Sequence, residues 1–300
     1  KNLKKMKILF IGSVIFSSEI LKTLILKKIN IIEIITKKKS VFNTDHYNLA
    51  PLAKKNNIPY KYYKNINSTE SINWIKKKSP DLIFCIGWSH LISKDILKIP
   101  SNGVIGYHPS DLPLNRGRNP LIWTIALGLK KSASTFFFIT DKIDNGKIIN
   151  KQKFSIPKNY KANDLYNKVI KISKKQIIQI CFKIKNNLKI KSTNQKGKIS
   201  KWRARTYKDG IVDWRMSGWA VHNLVNALSW PYPGASFFYK NKEYKLLKTN
   251  LIKNKLYNAE PGKIIRFDAL KPIIMCGKDS IKIVTSKPKL NINKKDKYLN

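Results

Sequence analysis

The sequence predicts an α/β protein, a mostly parallel sheet with helices on both faces, followed by a smaller β-rich unit. Three observations carry that prediction. Over the first part of the chain, short apolar runs alternate with helical patterns, the order a parallel sheet needs. A polar, basic stretch with no period then interrupts the alternation. Beyond it lie short strand-like runs parted by Gly and Pro turns, the mark of a small barrel or sandwich. With 300 residues, 42% apolar and 11% aromatic, there is material for two cores, and global disorder is excluded.

Ile8, Leu9, Phe10 and Ile11 before Gly12 read as a buried first strand. The basic start ahead of them mimics a secretory signal, but the run is short and no small-x-small site closes it. Residues 17–28 predict a helix: Ile20, Leu21, Leu24 and Ile25 fall at helical spacing, with Ser17 or Ser18 as cap and Glu19 in the first turn. A second strand covers 31–35, and a short helix over 47–55 ends at Asn57-Ile58-Pro59. A helix over 67–78, strands over 81–87 and 104–107, a helix over 120–128 and a strand over 134–139 follow. Residues 162–184 place Leu165, Val169, Ile172 and Ile180 on one helical face with Lys opposite. Residues 1–186 therefore predict a Rossmann-like domain. Residues 187–205 predict a linker, and 206–300 the small domain, with a helix over 220–228, a turn at 231–234 and strands over 236–239, 244–249, 263–267 and 282–285. The last dozen residues, rich in Lys and Asn, predict a frayed tail.

The chain carries 60 Lys+Arg against 17 Asp+Glu, a formal charge of +43. Only Arg116, Arg118, Arg203, Arg205, Arg215 and Arg266 are arginines. The lysines spread through nearly every segment among Ile and Asn, whereas a nucleic-acid surface concentrates its charge and uses Arg forks for phosphate. The excess reads as the amino-acid drift of an AT-rich genome. Cys85, Cys181 and Cys276 are too few and too scattered for a disulfide scaffold, show no CxxC metal pattern and fit a reduced, cytoplasmic compartment. No run approaches the roughly 18–20 apolar residues of a membrane helix, so no membrane partner is expected. No cluster of metal-ligating residues suggests a metal.

Chemistry concentrates between Gly103 and Gly146. His108 follows a strand directly, in the crevice where open α/β sheets bind ligands. Pro109 keeps it on an extended segment. Asp144 follows the strand over 134–139. If the two strands are neighbours, the carboxylate orients the imidazole, a pair suited to moving a proton to or from an amine near neutral pH. A histidine alone is more often structural, and His46, His90 and His222 are expected in surface or packing roles.

The motif HPSxLPxxRGRxPxxW from His108 to Trp123, followed by the D-x-G-x-I of Asp144, Gly146 and Ile148, resembles the signature of the formyltransferases that use 10-formyltetrahydrofolate. The block DGIVDWRM…PYPGA, from Asp209 to Ala235, resembles the start of the open-barrel (OB-like) domain that follows the catalytic domain in the tRNA and sugar branches of that family. The resemblance implies His108 as general acid/base, Asp144 as the carboxylate that tunes it, 10-formyltetrahydrofolate as co-substrate, and no metal. It further implies a folate pocket lined by Ser110, Asp111, Leu112 and Pro113 and by Thr140, Asp141, Lys142 and Ile143. Cys85, Ile86, Gly87 and Trp88 would lie against the pterin, and Arg118 would contact cofactor or acceptor. The implied chemistry is acyl transfer, with an amine attacking the formyl carbon.

One position departs. Two residues before the histidine the family carries an Asn that donates to the oxyanion, and this chain has Gly106. Three readings follow: a substitute donor, with Asn102, Asn115 and Asn119 nearest; a protonated His108 acting alone; or an inactive homologue that binds folate or nucleotide. The run RGRNPLIW resembles the sugar-nucleotide branch, implying that Arg116 and Trp123 bind a nucleotide-linked amino sugar by bidentate and stacking contacts. Core packing is the other reading of Trp123. A methionyl-tRNA formyltransferase acting on tRNA is the alternative, supported by the charge. A homodimer through the C-terminal part is a further, open expectation.

Overall fold

The computed structural model describes residues 5–40, 43–254, 258–292 and 296–299. The first elements are β1 (Ile8–Ile11), α1 (Ile15–Leu26), β2 (Ile31–Thr36), α2 (Ala50–Lys55), β3 (Tyr60–Tyr62), α3 (Thr69–Lys78) and β4 (Leu82–Cys85). Next come α4 (Lys94–Leu97), β5 (Val104–His108), β6 (Arg116–Gly117), α5 (Pro120–Ala126), β7 (Lys131–Phe138) and β8 (Ile148–Ser155). α6 (Ala162–Lys185) and β9 (Lys201–Trp202) follow. Seven strands form one sheet in the order β3-β2-β1-β4-β5-β7-β8. The pairings β3–β2, β2–β1, β1–β4 and β4–β5 are parallel, and β7 runs antiparallel to β5.

Every residue of β1 and β4 is buried, which is why both read as unbroken apolar runs. α1 starts two residues before the expected Ser17. The Ser17 hydroxyl sits inside the first turn, accepting from Val14 N (3.2 Å) and donating to Ile86 O (2.6 Å). Ser68 caps α3 through Ser71 N, and Ser79 closes that helix in the left-handed region. α4, β3 and β8 escaped the sequence reading. β8 is polar on both faces for different reasons: Lys151 and Lys153 pair with Asp111, whereas Asn150 joins Gln176 and Gln179.

The second sheet holds α7 (Gly218–Ala227), which packs on β11 (Lys242–Ile252) and β14 (Ser280–Lys287), with β10 (Ala235–Tyr239), β12 (Ile264–Asp268) and β13 (Lys271–Met275). Its strands are antiparallel in the order β10-β11-β14-β13-β12. Packing divides the chain into two units that interleave along the sequence. One takes the chain up to Pro120, then Ser132–Phe154 and Asn167–Trp202; the other takes Leu121–Lys131, Ser155–Tyr166 and the chain from Arg203. The 187–205 segment, expected as a linker, is thus paired to the first unit as far as Trp202. Of the expected frayed tail, residues 293–295 and 300 lie outside the described residues. Its described end is pinned: Ile264 N donates to Lys297 O (2.8 Å), Leu299 N donates to Gly262 O (2.9 Å), and the Leu299 side chain is buried.

His222 of α7 has a packing role. Nδ1 meets Thr249 Oγ1 at 3.0 Å and Nε2 meets the Asn226 amide at 3.0 Å. An amide NH₂ donates, so Nε2 is the acceptor and the ring is neutral. Burial holds its pKa below the ordinary histidine value. A base whose folded pKa is depressed gives stability that is complete above its unfolded pKa, about 6.5, and is lost as pH falls through that value toward the folded one. Melting curves at about pH 7.5 and pH 5.5 are expected to show a drop several degrees larger for the native protein than for His222→Gln. Equal drops would refute the assignment.

Candidate active site

The β5–β7 register sets Gly106 opposite Phe137 and His108 opposite Thr135. Pleating puts Gly106 and His108 on one face of β5 and Tyr107 on the other. On that far face the Tyr107 hydroxyl meets Ser134 Oγ (2.9 Å), Ser134 donates to Gln176 Oε1 (2.6 Å), and Gln176 donates to Asn150 (2.7 Å). This buried network fixes the strands beneath His108. The two strands are therefore neighbours, as the sequence argument required.

His108 is 5% exposed and held from both sides. Nε2 lies 2.8 Å from the carbonyl oxygen of Asn115. A carbonyl only accepts, so Nε2 carries the proton in the neutral ring, and Nδ1 is the nitrogen with a free lone pair. Nδ1 faces Asp144 Oδ2 at 3.6 Å, longer than a hydrogen bond but close enough for charge pairing. The same Oδ2 accepts from Gly117 N at 2.8 Å. Gly117 has φ +106°, and a Cβ there would stand 2.3 Å from Trp202 O where β6 pairs β9, so only glycine fits.

His108 and Asp144 open onto a cavity of about 580 Å³. Of the expected cofactor residues, Cys85, Gly87, Trp88, Arg118, Thr140, Lys142 and Ile143 line it. Ile86 does not, its side chain being wholly buried. Nor do Ser110, Asp111, Leu112 and Pro113. Ser110 donates to Leu114 O, Leu112 is buried, and Asp111 pairs with Lys151 and Lys153. Burial alone would raise the Asp111 pKa, but the two ammonium groups hold it below the usual carboxylate range. Asp141 pairs with Lys94. Burial pushes the Cys85 thiol up to about 12, so it is a packing group and not a nucleophile.

The expected acceptor contacts are redirected. Arg116 is 5% exposed, with Nε and Nη2 on Gln195 Oε1 at 3.2 and 2.7 Å. Trp123 belongs to the other unit, where its indole nitrogen donates to Arg203 O (3.1 Å) and the Arg203 and Arg205 guanidinium groups sit over its ring at 5.3 and 5.0 Å. Both side chains organise local structure. The proposed oxyanion donors also fall away from the cavity. Asn102 precedes β5, about 20 Å along the strand from His108, with its amide on Ser101. Asn115 Oδ1 accepts from Ser200, and neither Asn115 nor Asn119 lines the cavity. The space an asparagine would need at Gly106 is filled: a Cβ there would meet Ile139 Cγ1 at 2.7 Å and Phe137 Cζ at 3.3 Å.

Sequence reasoning missed several lining groups. His90, expected in a surface or packing role, lies at the cavity, its pKa lowered by burial and by the charges of Lys37 and Arg118. Asn65, Asn67 and Leu91 come from loops that carry no motif. The Trp88 indole nitrogen is buried without a partner among the described residues, and Lys37 Nζ stands 4.7 Å over its ring.

The formyl transferase family matches residues 6–181, and its C-terminal domain matches residues 205–296. The bifunctional polymyxin resistance protein ArnA of Wigglesworthia glossinidia brevipalpis is 34% identical over 77% of this chain, which spans only 35% of that relative. The methionyl-tRNA formyltransferase of Buchnera aphidicola (subsp. Acyrthosiphon pisum) is 31% identical over 97% of this chain and 91% of its own. Among solved structures, an N-formyltransferase from Helicobacter canadensis in complex with folinic acid and dTDP-3-aminofucose superposes with a TM-score of 0.68 at 17% identity, covering 93% of this chain and 98% of that one. At that identity the likeness is one of fold.

Proposed function

The chain belongs to the formyl transferase family, and on that premise we propose that it moves a formyl group from 10-formyltetrahydrofolate to the amino group of a nucleotide-linked amino sugar. The observation that carries the catalytic part is the His108–Asp144 pair, 3.6 Å apart at a cavity of about 580 Å³. That volume lies in the range of small-molecule sites. The co-substrate supplies the formyl carbon as an acyl donor. His108 Nδ1 takes the proton from the attacking amine and passes it to the departing nitrogen. Asp144 faces the ring while it is charged, and Gly117 N fixes the carboxylate. Because Gly106 is walled by Ile139 and Phe137, negative charge developing on the formyl oxygen meets no side-chain amide there. It is balanced by the His108 imidazolium and by Arg118 at the cavity edge.

The sugar acceptor is supported by the RGRNPLIW and PYPGA runs. Since Arg116 and Trp123 are bound within the protein, those runs mark the branch without making its contacts. A tRNA acceptor is the second reading, favoured by the Buchnera relative and the +43 charge. Purified protein given 10-formyltetrahydrofolate with a panel of dTDP- and UDP-amino sugars is expected to formylate at least one. Formylation of charged initiator tRNA alone, falling steeply with salt, would replace the sugar reading. Folate binding without turnover on either acceptor class would leave a binding homologue.

A further inference from the structure

We propose that Gln195 and Ser200 are positioning residues that hold Asp144 and His108 from two points on one extended segment. The segment departs from what its composition suggests. Thr193 exchanges both backbone hydrogen bonds with Ile148 (2.8 and 2.9 Å). Gln195 Nε2 donates to the carbonyl oxygens of Asp144 (2.8 Å) and Gly146 (2.9 Å), while Oε1 takes the Arg116 guanidinium. One amide therefore ties the turn carrying Asp144, whose φ is +47°, to Arg116 on β6. Five residues later, Ser200 Oγ accepts from Asn115 N (2.8 Å) and donates to Asn115 Oδ1 (3.0 Å), and Ser200 O accepts from Arg116 N (3.0 Å).

The consequence for the imidazole is direct. Its two neighbours are the Asn115 carbonyl at Nε2 and the Asp144 carboxylate at Nδ1, and each hangs from this segment. Burial follows the same logic: from residue 193 to 200, only Gln195 and Ser200 are half-buried, and the other six are exposed. The segment thus adds two inward polar side chains and no apolar core, so its bonds serve placement more than packing.

The test uses the full chain with ¹⁵N-labelled histidine and the variants Gln195→Ala, Ser200→Ala, Ser200→Thr and, as a control on the same segment, Lys196→Ala. The native protein is expected to show a slowly exchanging His108 Nε2 proton. Ser200→Ala should broaden it and Gln195→Ala should shift the ring nitrogens, while Ser200→Thr and Lys196→Ala keep the native signals. This inference leans on the proposed formyl transfer only for its kinetic arm. There, Gln195→Ala and Ser200→Ala should lower kcat about 10–100-fold with the KM for 10-formyltetrahydrofolate within about twofold. Native ring signals in both alanine variants, or kcat and melting temperature collapsing together, would overturn the proposal. Absence of turnover in the native protein on every acceptor would count against formyl transfer and leave the ring-proton result to decide the positioning role.

Discussion

Changing His108 to Ala is expected to cut formyl transfer about 10²–10⁴-fold, the usual range for loss of a positioned acid/base, with folate binding largely retained. The geometry separates the two effects. Nε2 is committed to the Asn115 carbonyl, so Nδ1 alone is available to take a proton, and no other base stands beside Asp144 among the described residues that line the cavity. His90 also lines the cavity, but burial, with the charges of Lys37 and Arg118, opposes its protonation. Asp144→Asn should cost less than His108→Ala, because it removes the charge facing the ring while Nδ1 keeps its lone pair. Initial rates together with fluorescence-monitored folate binding decide the matter. A His108→Ala enzyme within tenfold of native would remove the imidazole from the reaction.

Building an amide into the cavity floor is the second large effect. Gly106→Asn alone is expected to destabilise by about 1–3 kcal/mol through overpacking, since its Cβ would press on Ile139 Cγ1 and Cδ1 at 2.7 and 2.9 Å. Ile139→Ala clears that space. The pair should interact strongly in a double-mutant cycle, recovering stability and raising kcat about 10–10²-fold above Ile139→Ala alone, a part of the 10²–10³ that one oxyanion donor commonly supplies. A double variant no faster than Ile139→Ala would mean that the imidazolium and Arg118 already satisfy the developing charge.

What could be read from the sequence, and what could not, divides along physical lines. Strands buried on both faces announce themselves as apolar runs, so β1, β2, β4 and β5 were legible. β3 has only three residues, two of them exposed, and β13 contains a proline, so neither has a pattern to detect. His108 and Asp144 were legible because a motif and a strand pairing place them. Of the Cys85–Trp88 run three residues line the cavity, and Ile86 points inward between them. The Ser110–Pro113 run failed because its polar groups are consumed by Leu114, Lys151 and Lys153. Arg116 and Trp123 had the right chemistry for an anion and a base, but partners about 80 residues away took it up. Such long-range polar pairings, like those of Gln195 and Ser200, leave no local periodicity.

The lysine excess, unremarkable along the chain, finds a use at the margins of the large sheet. β3 and β8 are its outermost strands, and each exposes Lys: Lys61 on one side, Lys151 and Lys153 on the other. Among the described residues, Thr193 bridges to Ile148 at the start of β8. An open strand edge is a template on which another chain can add, and like charge repeated along it repels a second copy before backbone pairing begins. The same ammonium groups that anchor Asp111 thereby guard the sheet against growing into its neighbours, a protection that weakens as ionic strength screens them.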